Sequence, residues 1–344
     1  MRRTAYKIKK AGSFSNLHLV EEELREPSAE EVTVHVKSFG LNFADVFAIT
    51  GLYSATPKGE FIPGLEFSGV IIKCGSGVTR FKEGDRVFGA IRFGAYTDHL
   101  NIEQHYVRPL PDEWSFEDGA AFAVQSLTAY YSLVELGAIK KGYTVLIHSA
   151  AGGVGIQANR IAKKFGAFTI GTIGNSAKKD LLRREGYDRI IVRDKYFRHR
   201  LHEALEGREL NIVLESIGGD IFKESFRQLA PTGRLITFGA ANFASPGARP
   251  NYFSLIKKYL TRPIIDPLRL VNWNKSVMGF NLIWLWDKID YLHGLLDQLM
   301  ALDIEKPYIG RIYEYGKLLK ALEDFRSGTT EGKIVINTEP VKKH

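Results

Sequence analysis

The stretch Thr144-Val145-Leu146-Ile147-His148-Ser149-Ala150-Ala151-Gly152-Gly153-Val154-Gly155 decides how this chain is read. Its first residues are β-branched and apolar, as a short buried strand requires, and a helical pattern runs from 154 to 165. Between them lies a glycine-rich turn that departs from G-x-G-x-x-G, because Ala150 replaces the first glycine. Set between strand and helix, such a turn reads as a dinucleotide phosphate cradle. Gly152 and Gly153 are expected to bring the backbone against a pyrophosphate, and Gly155 to let the helix lie close on the strand. Ala151 and Val154 belong to the same cradle. The helix start adds unpaired N–H donors and partial positive charge.

Outward from this turn, strands are expected at 168–172, 189–192, 211–214 and 234–237, with helical stretches between them. A sixth strand follows at 276–282, after a loop region from 240 to 267. Strand and helix alternating in this way give a parallel sheet with right-handed crossovers, a doubly wound Rossmann domain. The preceding third is different. Residues 32–37 alternate with period two, 69–73 form a second strand, and the turn at 84–89 feeds a third, with glycines at many corners. That is a small, barrel-like β domain. A helix is expected over 116–135, helices at 287–302 and 315–326, and a last strand at 333–336. The fold class is α/β, with boundaries at 1–122 for the β-rich domain, 123–282 for the Rossmann domain and 283–344 for a return to the first.

The second strand of a dinucleotide fold normally ends near an acidic residue that holds a ribose 2′-hydroxyl. Here the residues are Gly171-Thr172-Ile173-Gly174-Asn175-Ser176-Ala177-Lys178-Lys179, with no carboxylate before the lysines. Arg193, ending the next strand, adds a cation on the same edge. Gly174, Lys178 and Arg193 therefore point to a 2′-phosphate, and so to NADPH.

Composition narrows the class. The 344 residues are 44% hydrophobic and 25% charged, ordinary for a globular chain of two domains. No signal peptide or spanning segment is read, and a cytoplasmic location is expected. Lys and Arg number 47 against 39 Asp and Glu, a formal charge of +8, but the basic residues are scattered and nucleic acid is not expected as a main partner. One cysteine, Cys74, excludes an intrachain disulfide and every thiolate-rich zinc site. It reads as a strand-end packing residue. His199 and His202, three apart among arginines, read as a solvated helix face, and Ser149 occupies no nucleophile elbow.

Asn42-Phe43-Ala44-Asp45, Gly51-Leu52-Tyr53, the run Pro63 to Val70, Gly75-Ser76-Gly77-Val78, Gly84-Asp85-Arg86-Val87, Leu127-Thr128-Ala129-Tyr130, the turn at 150–155 and Gly332-Lys333 occur in the order seen in quinone oxidoreductases. The chain resembles that family of the medium-chain dehydrogenase/reductase superfamily along nearly its whole length. Asn42 to Asp45 and Val277 to Leu282 look most like its vesicle amine transport protein branch. The resemblance implies a GroES-like catalytic domain made from both chain ends, and a homodimer paired through the Rossmann sheet edge near 277–282. Zinc members carry a His-Glu pair where this chain has Leu65-Glu66, so no metal is expected.

By the same resemblance Asn42, Tyr53, Gln125 and Thr128 line the nicotinamide end of a cleft. Tyr53 is the candidate proton donor or orienting hydroxyl, and Asn42 the candidate holder of a substrate oxygen. Asp45 is expected to cap or pair. Phe238, Gly239 and Ala240 should run beside the nicotinamide, with Asn242 a weaker candidate, and Lys333 is carried over as a cation touching the cofactor. The function implied is a zinc-independent, NADPH-dependent reduction of a quinone or an α,β-unsaturated carbonyl. The alternatives are an enoyl-thioester reductase, or an NADPH-binding scaffold at a vesicle, membrane or RNA, with the apolar Leu282 to Trp286 stretch as a surface patch.

Overall fold

The computed structural model describes residues 1–244 and 250–339. The chain opens with β1 (Arg2–Ile8) and β2 (Leu17–Glu23), an antiparallel pair. Next come β3 (Glu31–Gly40), α1 (Phe43–Thr50), β4 (Glu66–Cys74), β5 (Arg86–Ala90), β6 (His99–Glu103) and β7 (Val107–Pro109). Two short helices, α2 (Phe116–Ala120) and α3 (Ala123–Tyr130), lead away from this β-rich part. They replace the continuous helix expected over 116–135, and the remainder, Tyr131–Leu136, is a π-helical turn. The break has a cause: a carboxylate from β4, that of Glu66, accepts the Val124 N–H and starts a new helix there.

The second sheet is built from β8 (Thr144–Ile147), β9 (Phe168–Ile173), β10 (Arg189–Val192), β11 (Leu210–Glu215), β12 (Leu229–Thr237) and β13 (Ser276–Gly279). All its pairings are parallel and the order is β10-β9-β8-β11-β12-β13, the doubly wound arrangement. Its helices are α4 (Gly153–Lys164), α5 (Lys179–Arg184), α6 (Phe197–Leu205) and α7 (Gly219–Gln228). Alternation along each strand shows why both faces are covered. Val145 and Ile147 enter the core shared with α3 and α4, whereas Leu146 enters the core under α6 and α7. On β11, Ile212 and Leu214 take the first side and Val213 the second.

Two expectations change in the next segment. The region 240–267 is not all loop, since α8 (Tyr252–Leu260) forms behind Asn251, whose side chain accepts the Ser254 N–H. Residues 245–249 of that region lie outside the described residues. The helix α9 (Pro267–Trp273) follows, capped by Asp266. The sixth strand ends at Gly279, and Leu282–Lys288 is a 3-10 segment rather than strand. Within it Leu282, Ile283 and Trp286 are buried, so the apolar stretch is mostly core and not a surface patch; of its apolar residues only Trp284 is well exposed.

Then α10 (Ile289–Met300) packs on α3, with Leu292, Leu295, Leu296 and Leu299 in the same core as β8 and α4. The chain returns to the first sheet only at β14 (Ile309–Glu314), later than the boundary read at 283. After α11 (Leu318–Arg326), β15 (Lys333–Asn337) pairs with both β14 and β3. The seven-stranded sheet thus joins strands from the first and last parts of the chain, in the order β14-β15-β3-β4-β5-β7, with β6 also on β3, while β1 and β2 form a separate pair.

Leu214 sits fully buried on the central strand beside β8. Leu214→Ala is expected to cost about 2–5 kcal/mol of unfolding free energy, read by denaturant titration.

Candidate active site

In a doubly wound sheet the ligand crevice lies at the carboxyl ends of the strands, where the winding reverses. Here that point is between β8 and β11, and a cleft of about 1230 Å³ opens over it, walled on the other side by the β-rich domain. Ser149, after β8, takes φ of +52°, an uncommon left-handed conformation for a residue with a side chain. Its hydroxyl meets that of Ser216, after β11, at 3.0 Å. His148 is fully buried just before, bonded to Thr172 at 2.8 Å and Ser225 at 2.9 Å. Burial, with Arg193 nearby, pushes its imidazole down to about 3, so it is a neutral tie between strands.

Ala151, Gly152, Gly153, Val154 and Gly155 all face the cleft from the turn and the start of α4. Gly155 is required by close packing, as a Cβ there would lie 2.6 Å from the Ser149 carbonyl oxygen and 2.7 Å from the Ala150 Cα. Gly153 is required by packing as well. A Cβ there would fall 1.6 Å from Oε1 of Gln125, so what sits against this glycine is a side chain from α3. Gln125 is buried, and among the described residues neither its amide oxygen nor its amide nitrogen has a hydrogen-bond partner. An unpaired buried amide facing a cleft calls for a polar ligand atom. Thr128, one turn on, also lines the cleft, with its hydroxyl returned to the Val124 carbonyl at 2.7 Å.

At the far edge of the sheet, Gly174, Lys178 and Arg193 converge on the same cleft. The Lys178 ammonium donates to the carbonyls of Gly328 and Thr330, each at 2.6 Å. Arg193 donates to Thr172 Oγ1 at 2.8 Å, and its other terminal nitrogen lies beside Gly174. Burial pushes both cations below their ordinary pKa, and neither forms a salt bridge among the described residues. Phe238, Gly239 and Ala240 leave the end of β12 along the cleft wall. Asn242 does not line it; its amide packs behind Gly218.

The β-rich side is organised by one buried ion pair. Lys333, expected to be a cofactor contact or an exposed strand lysine, is only 3% exposed and its ammonium is held by Glu66. The same ammonium donates to Asn42 Oδ1 at 2.7 Å, and Asn42 Nδ2 donates to Glu66 at 2.9 Å. Glu66 Oε2 takes the Val124 N–H at 3.0 Å. Asn42 and Lys333 both edge the cleft, but Glu66 is spent on these bonds and Leu65 beside it is an apolar, buried wall. Immediately N-terminal to Lys333, the Gly332 N–H donates to the Ala151 carbonyl at 2.8 Å, stitching the two domains together at the glycine-rich turn.

Tyr53 reaches across the cleft and donates to Asn281 Oδ1 at 2.8 Å. Burial pushes its hydroxyl up to about 12, so it is a donor at neutral pH. Asn281 and Ser216 carry no sequence signal of their own beyond the Val277 to Leu282 motif near the first, and Ser149, read only as no nucleophile, joins them at the cleft. Asp45 accepts the Asn42 N–H at 2.8 Å and the Tyr96 hydroxyl at 2.9 Å, away from the cleft. Its other oxygen is buried without a partner, and burial raises the carboxyl to about 7. Among the described residues no group of three or more His, Cys, Asp or Glu side chains is placed to hold a metal ion, and no helix is long and apolar enough to cross a membrane.

The alcohol dehydrogenase GroES-like domain family matches residues 28–112, and the zinc-binding dehydrogenase family matches residues 153–283. A synaptic vesicle membrane protein VAT-1 homolog from Danio rerio is 33% identical over 318 residues, which cover 91% of this chain and 65% of that protein. The structure of Escherichia coli quinone oxidoreductase complexed with NADPH superposes with a TM-score of 0.83 at 28% identity, covering 98% of this chain and all of the other. The CurK enoyl reductase structure gives a TM-score of 0.81 at 25% identity, over 97% of this chain and 99% of that one. The chain belongs to the medium-chain dehydrogenase/reductase superfamily of oxidoreductases, in its zinc-free quinone oxidoreductase and VAT-1 branch.

Two measurements probe this site. Lys333→Ala strands the Glu66 carboxylate in the interior and is expected to destabilise the fold by about 3–5 kcal/mol, whereas the paired Lys333→Met, Glu66→Gln change loses much less. Asp45 binds its proton more tightly folded than unfolded, so the folded chain holds more protons between about pH 4, the unfolded value, and about pH 7. Stability is therefore expected to fall as pH rises through that window, and Asp45→Asn to flatten the slope in urea titrations across it.

Proposed function

We propose that the chain is an NADPH-dependent reductase of quinones or α,β-unsaturated carbonyls that needs no metal. The observation carrying this reading is the pair Lys178 and Arg193: two desolvated cations in the cleft, bonded to neutral oxygens, where a carboxylate for a ribose hydroxyl is absent. A dianionic 2′-phosphate supplies the charge they lack. The residues fit the rest of the dinucleotide as well. The start of α4 offers N–H donors to a pyrophosphate, and Gln125 offers its unpaired amide. Phe238 to Ala240 border the nicotinamide, and NADPH supplies the hydride when bound.

The protein's own part is orientation. Asn42 is held by Lys333 and Glu66, which leaves one amide N–H free to hold an acceptor oxygen at the cleft edge. The Tyr53 hydroxyl, protonated at neutral pH, orients or protonates the reduced acceptor after letting go of Asn281. Lys333 acts through Asn42 rather than on the cofactor. Conjugated acceptors suit such a site because they spread the incoming charge without a Lewis acid. An enoyl thioester meets the same requirement and is the second reading, favoured by the structural likeness to an enoyl reductase. The open edge of β13 is the surface through which two copies are proposed to pair.

The test is a binding titration of NADPH against NADH, followed by turnover on benzoquinones, enones and acyl thioesters with a chelator present. NADPH is expected to bind more tightly, and Lys178→Ala and Arg193→Ala each to weaken it by about tenfold to a hundredfold with little change for NADH. Equal affinities for the two, or cofactor binding with no turnover on any acceptor, overturn the reading.

A further inference from the structure

One wall of the cleft is unlike the others. Tyr252, Leu255, Ile256 and Tyr259 of α8 all line it, and their spacing of three, four and seven residues puts them on a single helical face. Such a stripe normally packs into a core. Here no residue of α8 is buried, and Tyr252, Ile256 and Tyr259 are 63%, 58% and 56% exposed. The helix follows the strand end at Phe238 to Ala240, and Lys258 ties it back to the Asn242 carbonyl. The same cleft is walled from the β-rich domain by Phe43, Phe47 and Phe325, the Phe43 ring meeting each of the other two. Its volume, about 1230 Å³, exceeds the ~300–1,000 Å³ common for a single small ligand.

We propose that the α8 stripe is the seat of an apolar tail on the acceptor, so that the substrate class is a quinone or enone carrying a long alkyl or prenyl chain. The proposal rests on the reductase reading for the reacting head group, while the tail seat stands on the stripe itself. Nothing polar on this face offers a hydrogen bond to a hydrophilic substituent apart from the two tyrosine hydroxyls. From Tyr252 to Tyr259 the stripe runs about 10 Å at the ~1.5 Å rise of a helix, the length of a medium alkyl chain.

The experiment uses the full chain and redox-inert 4-alkylphenols from methyl to decyl, with binding read by calorimetry, beside turnover of NADPH with methyl- and decyl-benzoquinone. Affinity is expected to rise about twofold per methylene, half the logarithmic gain of complete burial because one side of the chain stays near solvent. The Ile256→Ser, Tyr259→Ser double variant is expected to flatten that dependence. A Leu268→Ser, Val271→Ser variant removes equally exposed side chains of α9 that do not line the cleft, and is expected to leave it unchanged. Affinity independent of chain length in the unaltered protein, or the same flattening from the α9 variant, overturns the proposal. Chain-length-dependent phenol binding with no turnover of either quinone overturns the reductase reading and leaves the tail seat standing.

Discussion

From the last strand of the chain the Lys333 ammonium reaches the carboxylate that begins β4, inside a region closed to water. Two buried charges repay their desolvation only with the support of further hydrogen bonds, and here Asn42 and the Val124 N–H supply them. Asn42, at the entrance to α1, accepts a bond from Lys333 and donates one to Glu66, and the second Glu66 oxygen holds the first turn of α3. Four elements, α1, β4, α3 and β15, are thereby fixed around one ion pair. The site depends on it, because α3 carries Gln125 and Thr128, and the backbone just before Lys333 grips the glycine-rich turn. Breaking the pair therefore disturbs both sides of the cleft, although Glu66 touches no ligand position itself.

The opposite end of the cleft has the reverse electrostatic character. Lys178 and Arg193 are partly desolvated and form no salt bridge among the described residues, with Glu331 and Glu215 acting on them only from beyond salt-bridge reach, and the nearby His148 avoids adding a third charge by staying neutral. An arrangement of this kind raises the energy of the empty site relative to the occupied one, since an anion restores what burial removed. Between the charged edge and the ion pair lie the neutral groups, Gln125, Tyr53 and the strand-end backbone, suited to a ring that must be positioned rather than polarised. Polar matching at one end and shape at the other divide the work of recognition.

Much of this was legible in the sequence. The strand, glycine-rich turn and helix at 144–165 announce the dinucleotide fold, because the period of a buried strand, the glycine needed for helix–strand contact at Gly155 and a helix pattern are all local properties. The missing carboxylate after β9 and the single cysteine are also visible in a linear string. Apart from Asn242, the candidate residues named for the cofactor or for catalysis, from Asn42 to Lys333, lie along the one cleft, although the sequence scatters them over nearly three hundred positions.

What only the tertiary structure decided are partnerships. That Lys333 is a buried counter-ion rather than a surface lysine depends on β15 lying beside β3, a pairing across the whole chain. The reason for Gly153 is a glutamine from another helix, and the break at 121–122 is made by a carboxylate from another sheet. Leu282 and Trp286 are buried in the core that α10 and α3 share, Ile283 is buried too, and exposed apolar side chains gather on α8 and α9 instead. Composition sets which residues prefer water, but which of them lose it is a matter of what packs above them. The glycine-rich turn therefore determined that a dinucleotide fold is present, and the folded chain determined what holds that turn in place.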